Sequence, residues 1–544
     1  MVPPPTVAPT AAQLEQGLPE SRVLILGTGG TICMQHGPDG LQPSDNFLKE
    51  AMAPRLSFND MSSPQVSLPV MQKGKKLSLP SLRTPATAYH RHIRYTVLEF
   101  DPLLDSSSMS AADWVAMALA VKENYHLYDG FVVLHGTDSL AHTASALSFI
   151  MENLGKPVVL TGSQAPIFAL QSDAVDNLLG SLVIAGTFCI PEVGLFFHHK
   201  LYRGNRTTKV SATSFDGFAS PNLEPLAKVN GLGIDVDWSL VLRPTRIEGF
   251  DVATDLDTTH VACLRVFPGI KAEMLEAVLR LPTLRGLVLE TFGMGNVPGG
   301  ADGPLTTVIR KAIAERGVIV INVSQCVSGF VSPVYAPATH LSRAGVTFGL
   351  DLTVEAALTK LSYLLARPNL SRSDITDQLS RSIRGEMTEI SRPTFSHPSE
   401  SLDAAASRLT PAESAFAALG YAIREGDVRS VCDLVTGQGE QLLKQADYAG
   451  NTAVHLAAAS GNTAIMRELL QRGASVHERN MANNSPLFLA TLNGQTECAQ
   501  LLRATGAHLS VEEVERGPWS KSASQPAPDA HRPSKLTVAQ LKSK

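Results

Sequence analysis

A recurring unit constrains this chain more than any other feature. It is a short apolar run, then a loop of small residues, then a stretch of helical periodicity. Residues 22–26 (RVLIL) run into Gly27-Thr28-Gly29-Gly30-Thr31. Residues 130–134 (GFVVL) run into His135-Gly136-Thr137-Asp138 and a helical stretch to about residue 152. Residues 157–160 run into Thr161-Gly162-Ser163-Gln164 and a helix over about 173–185. Apolar runs without alternation are strands buried on both faces. Their repetition between helices predicts a parallel sheet in an α/β fold. Ligands of such sheets bind beyond the carboxyl ends of the strands, which is where Thr31, Thr137, Asp138 and Ser163 fall.

A second α/β segment follows. Strands are predicted at 261–266, 286–290 and 318–323, with helices over about 270–281, 305–316 and 355–365. The pattern weakens across 225–257. The boundary is set there, dividing an N-terminal α/β domain (21–230) from a C-terminal one (231–391), with residues 1–20 expected to be disordered. The stretch 61–90, which carries Lys73-Gly74-Lys75-Lys76, reads as a surface insertion.

Residues 392–412 hold Pro393, Pro398 and Pro411 among several serines and read as a linker. Beyond it, NTAVHLAAASGN (451–462) matches NSPLFLATLNGQ (484–495) at an offset of 33, and Gly473-Ala474 recurs at Gly506-Ala507. That period, with a turn and two short helices, resembles ankyrin repeats, all-α in this region (413–515). A weaker copy precedes them at Gly426-Asp427, so two repeats are clear and a third is degenerate. Residues 516–544 are expected to be a disordered tail.

Composition narrows the function classes. Hydrophobic residues make up 44% of the 544 and charged residues 18%, the balance of a globular chain. Lys plus Arg (46) and Asp plus Glu (51) nearly cancel, so no basic surface predicts nucleic acid or an anionic membrane as partner. No apolar run reaches the roughly 18 residues of a membrane span. The six cysteines lie far apart with no CxxC pair, which is neither a disulfide framework nor a zinc cluster. The N-terminus has no signal-peptide order, and the expected compartment is the cytosol.

The loops carry the chemistry. Gly27-Thr28-Gly29-Gly30-Thr31 lacks the third glycine of a dinucleotide fingerprint and the Gly-Lys-Ser/Thr end of a P-loop. A threonine hydroxyl becomes a nucleophile only when a base takes its proton. Lysine serves as that base if its pKa is lowered or its proton is relayed, and a neighbouring carboxylate can orient it. Two threonines (Thr31, Thr137), Asp138 and Lys209 therefore make an acyl-transfer set. Singly each has a plainer reading: Thr31 and Thr137 as helix caps, Asp138 as a partner of a helix dipole, Lys209 as a solvated charge.

Together these motifs resemble the bacterial-type L-asparaginases, especially the cytosolic type I branch. The matching segments are TGGTI (28–32), LEFDPLLDSSSM (98–109), the run 130–164, LYRGNRTTK (201–209), ASPNLEPL (219–226), SQCVSG (324–329) and DLTVEAALTKLSYLL (351–365). The resemblance spans about residues 21–390. The added repeats resemble animal members of the family, some of which carry a lysophospholipase label. The resemblance implies an asparaginase fold of two α/β domains and hydrolysis of L-asparagine to L-aspartate and ammonia. Thr31 would be the nucleophile. Thr137, Asp138 and Lys209 would move protons and place the deacylating water. Asp105, Ser106 and Ser107, with Thr137 and Asp138, would hold the ends of the substrate. No metal or organic cofactor is implied. A homodimer or homotetramer is, with a protein partner for the ankyrin repeats.

Two departures from the family pattern stand out. Many relatives carry a tyrosine in the loop after TGGTI. Here residues 33–46 have none, His36 is the one titratable ring, and Tyr335 is the candidate replacement. An arginine that bacterial type I enzymes use in an effector site near 324–326 is replaced by Glu290, which argues against the same allostery. The competing readings are an ester hydrolase acting on lysophospholipids at the same site, although no GxSxG elbow occurs, and an ankyrin scaffold with vestigial activity.

Overall fold

The structure is a computed structural model that describes residues 18–37, 40–43, 46–299, 303–332, 336–388, 411–447 and 449–517. Most of the expected disordered ends and of the expected linker lie outside these residues, as does Tyr335, while Glu20 already belongs to a strand and Arg516 to a helix.

The predicted buried strands form the middle of a ten-stranded sheet. Its strands are β1 (Glu20–Gly29), β2 (Val66–Gln72), β3 (Lys75–Arg83), β4 (His92–Leu104), β5 (Gly130–Leu134), β6 (Val158–Thr161), β7 (Val193–Phe197), β8 (Lys200–Arg203), β9 (Ala227–Asn230) and β10 (Gly233–Val236). They lie in the order β10-β9-β8-β7-β6-β5-β1-β4-β3-β2. The run β7-β6-β5-β1-β4 is parallel throughout. Antiparallel strands extend it at both edges.

The apolar runs are buried on both faces because alternate residues enter different cores. Leu24, Leu26, Phe131 and Val133 pack with helices α1 (Ala111–Asn124) and α2 (Leu140–Ile150). Val23, Ile25, Val132 and Leu134 pack with α3 (Ala174–Thr187) on the other side. The chain leaves β1 toward β4 and returns to β5 on its opposite side, so a topological switch point lies at β1.

The stretch 61–90 is not a surface insertion. It builds the β2–β3 hairpin, closed at Lys73-Gly74, where both residues have positive φ, as in a type I′ two-residue turn. Leu68 and Val70 point inward at period two and are buried in the core beside α1. Asn124 of α1 brackets Met71, accepting from its N–H and donating to its carbonyl, both at 2.7 Å. The boundary expected after residue 230 also moves. It would cut the β9–β10 pair, and Asp251–Val252 pairs back onto Met151–Glu152. Met151–Glu152 is accordingly a short strand rather than the end of α2.

Four parallel strands form the second sheet: β11 (Val261–Arg265), β12 (Gly286–Thr291), β13 (Ile319–Ser324) and β14 (Thr347–Phe348). Helices α4 (Ala272–Leu279), α5 (Pro304–Arg316), α6 (Ala336–Arg343) and α7 (Val354–Leu365) connect and cover it. Leu361 and Leu364 of α7 share a core with Val288 of β12 and Leu147 of α2, which joins the two sheets.

Three helix pairs follow: Pro411–Glu425 with Val428–Gln438, Ala453–Ser460 with Thr463–Gln471, and Pro486–Leu492 with Thr496–Ala504. They share one apolar core. The loops that follow the outer helices dock on the first domain. Lys156 is buried and donates to the carbonyls of Tyr125 and Tyr128, both at 2.6 Å. Its third contact is His508 Nε2 at 2.9 Å, in an ankyrin loop. Burial pushes the Lys156 ammonium down to about 7. Arg479 lies 3.6 Å from Asp129 and 3.2 Å from Glu513, and His477 meets the Tyr125 ring edge-on.

Residues 125–129 precede β5 and Lys156 precedes β6, so the repeats cover the amino ends of the parallel strands. The candidate site lies at the opposite, carboxyl ends. A chain cut near residue 395, which keeps Thr388, should therefore retain kcat and KM while melting several degrees lower, because Lys156, Asp129 and Tyr125 lose their partners. Steady-state kinetics and thermal melts on the two lengths check this. Lost turnover in a folded truncation would mean that the repeats brace the site.

Candidate active site

Three strand-end loops meet at the switch point. Gly30 has φ +91°, open to glycine but strained for other residues, and a Cβ on it would lie 2.4 Å from the Gly136 nitrogen. A Cβ on Gly136 would lie 2.3 Å from Ser106 Oγ. The loops after β1, β5 and β4 thus touch through backbone that admits no side chain. This contact brings Thr31, Thr137 and the Asp105–Ser107 turn together. Thr31 opens a single 3-10 turn, Thr31–Cys33, whose Ile32 and Cys33 are buried while Thr31 is half-buried. Thr28, inside the same loop, donates to the Leu134 carbonyl at 2.7 Å and ties the end of β1 to that of β5.

Lys209 arrives from a separate segment. Its Nζ lies 3.0 Å from Thr137 Oγ1 and 2.9 Å from Asp138 Oδ1. The lysine, hydroxyl and carboxylate singled out from the sequence therefore form one hydrogen-bonded group. Thr137 is buried, and Asp138 is largely exposed at the mouth. Asp105 accepts from the Ser107 hydroxyl at 2.6 Å and from the Ser107 N–H at 3.0 Å. These bonds hold the Asp105 carboxyl below its ordinary value, so it stays ionised. Ser106 is buried against Gly136, and Ser163 turns back to the Ala165 carbonyl at 2.6 Å, serving its own loop.

Sequence reasoning missed the groups that aim Lys209. Arg206 makes a buried, two-pronged contact with Asp351 of the second domain, at 2.8 and 3.1 Å. It also donates to the carbonyls of Asn222 and Glu386 and to Thr388 Oγ1, each at 2.9 Å. Burial alone would raise the Asp351 carboxyl, but hydrogen bonds from Arg206 and Thr388 outweigh it and hold the group down. Next to Lys209, the Thr208 hydroxyl donates to Glu355 of α7 at 2.8 Å. Both motifs were visible, since LYRGNRTTK contains Arg206 and DLTVEAALTKLSYLL contains Asp351 and Glu355. What the sequence lacks is the pairing between them.

Family models match the chain in the same order as its units. "Asparaginase, N-terminal" covers residues 22–242, "Glutaminase/Asparaginase C-terminal domain" covers 260–379, and "Ankyrin repeats (3 copies)" covers 419–513. The chain belongs to the asparaginase family. Similar members include the mouse protein named 60 kDa lysophospholipase, 40% identical over 84% of this chain and 79% of its own. L-asparaginase 1 of Escherichia coli K12 is 39% identical over 67% of this chain and 98% of its own. Among solved structures, L-asparaginase I of Vibrio cholerae is 37% identical with a TM-score of 0.56 and covers 68% of this chain and 100% of its own. In this asparaginase-family chain Glu290 of β12 lies 3.4 Å from Arg265 of β11, paired across the second sheet. No helix among the described residues is long and apolar enough to cross a membrane.

Proposed function

We propose that the chain hydrolyses L-asparagine to L-aspartate and ammonia through an ester of Thr31. The observation that carries the reading is the Lys209–Thr137–Asp138 group, set beside the Thr31 turn by the Gly30–Gly136 contact. In the first half, Thr31 Oγ attacks the side-chain amide carbon. Its proton passes to the leaving nitrogen, the C–N bond breaks, and ammonia departs. In the second half, water held near Thr137 attacks the ester carbon. Its proton returns to Thr31 Oγ as the C–O bond breaks and aspartate is released. Thr137 is the hydroxyl nearest the amine of Lys209, so proton traffic runs along that contact. Asp138 holds Lys209 in place and, with ionised Asp105, offers negative charge to the substrate ammonium. Ser106 and Ser107 offer hydroxyls to its carboxylate.

A second reading is favoured by the name of the mouse relative, 60 kDa lysophospholipase. An ester carbonyl would meet the same nucleophile. Purified protein given asparagine, glutamine and lysophosphatidylcholine in parallel separates the two. Ammonia from asparagine is the expected result. Fatty acid release with no ammonia from asparagine would replace this function with the second.

A further inference from the structure

His135 has no part in the steps above, yet its ring is fully buried and hydrogen-bonded to the turn that carries Thr137. Its surroundings fix where its proton sits. Trp114 Nε1–H can only donate, and its acceptor is Thr143 Oγ1 at 2.9 Å. Thr143 Oγ1 in turn lies 2.9 Å from His135 Nε2, and His135 Nδ1 lies 2.7 Å from the Gly136 carbonyl oxygen. A carbonyl only accepts, so Nδ1 bears the ring proton. Nε2 is then bare and accepts the Thr143 hydroxyl. Burial supports the neutral ring, pushing the imidazole down to about 4 against the opposing effect of its bond to Gly136. A single chain of donors results, from Trp114 through Thr143 and His135 to the Gly136 oxygen.

The consequence lies in the peptide that follows. In a planar trans peptide the C=O and the next N–H point in opposite directions. Turning the Gly136 carbonyl onto His135 turns the Thr137 N–H the other way. That N–H has no acceptor among the described residues. Gly30 and Ser106 close on Gly136 from two sides, so the turn has no room to shift as a body. We propose that His135, held by Thr143 and Trp114, is a positioning residue that locks the Gly136–Thr137 peptide with the Thr137 N–H presented to the oxyanion of the reacting carbonyl. The proposal rests on the amide-hydrolase reading above.

Two measurements on the full chain test it. In the wild type, long-range ¹H–¹⁵N correlation of labelled histidine should show His135 with a protonated Nδ1 and a bare Nε2 across neutral pH. A proton on Nε2 overturns the proposal whatever the activity. The second measurement compares two amides of different reach. His135→Asn keeps an N–H near the Nδ1 position, within reach of the Gly136 oxygen. His135→Gln places its amide near Nε2 and leaves that oxygen unheld. His135→Gln should lower kcat on asparagine by roughly 10–100-fold, short of the ~10²–10³ for deleting an oxyanion donor outright, with KM little changed. His135→Asn should recover most of that loss. Equal losses in the two variants, or a change confined to KM, overturn the proposal. If neither variant folds, Thr143→Val should lower kcat in the same direction, and full kcat in that variant overturns it. A wild type that releases no ammonia from asparagine would refute the amide-hydrolase reading instead, while the tautomer measurement still reports on His135.

Discussion

Thr31→Ala should lower asparagine turnover by several orders of magnitude and leave the melting temperature almost unchanged. The two halves of this expectation have separate causes. Removing a covalent nucleophile leaves only binding and oxyanion stabilisation, which in well-studied hydrolases retain about 10³–10⁴ over the uncatalysed reaction. Stability is spared because Thr31 is half-buried and its hydroxyl bonds to no described residue, while the anchoring of the turn falls to Ile32 and Cys33. A substitution at such a position stays within about 0.5 kcal/mol. Single-turnover assays with a thermal melt of the same preparation read both halves. Near-normal turnover in Thr31→Ala would remove the ester intermediate from the mechanism. Lost turnover with a large drop in melting temperature would mean that the residue holds the turn rather than reacts.

The centre of the fold was legible because parallel strands covered on both faces have to be apolar throughout. Gly130–Leu134, buried at every position, is the plainest case. The edges were not legible for the converse reason. Val66–Gln72 has one wet face, and its two inward residues, Leu68 and Val70, are too few to stand out beside Lys73-Gly74-Lys75-Lys76. Thr31, Thr137 and Asp138 were legible as residue types at loop positions, and Lys209 as a residue type within LYRGNRTTK. The approach of Lys209 to Thr137 was not, since 72 positions separate them and the Arg206–Asp351 clamp between domains aims the segment. His135 sat in plain view within His135-Gly136-Thr137-Asp138, but its use depends on Trp114 and Thr143 from two different helices. The ankyrin docking was hidden for the same reason. Lys156, read alone, is a surface lysine, and only the fold supplies two carbonyls and His508 around it.

Lys209→Met should reduce turnover steeply with little change in melting temperature, and Lys209→Arg decides why. The side chain of Lys209 is 22% exposed and that of Asp138 is 68% exposed, so their ion pair is largely solvated. Pairs of that kind contribute about 0–1 kcal/mol to stability, which bounds the expected shift in melting. Methionine keeps the length of the stem and removes both the charge and the amine beside Thr137. Arginine restores the charge, but its guanidinium is planar, longer and effectively never deprotonated. If Lys209 acts only through its field on Thr137 and Asp138, Lys209→Arg keeps a substantial part of the turnover that Lys209→Met loses. If the amine itself passes a proton to and from Thr137 Oγ1, at the 3.0 Å separation observed, arginine is as poor as methionine. The proposed proton path requires the second outcome, measured as kcat for asparagine. Any hydrolysis of lysophosphatidylcholine should fall in parallel in both variants if one site serves both substrates. Ester hydrolysis that persists in Lys209→Met while ammonia release disappears would place the two reactions at different groups of this chain.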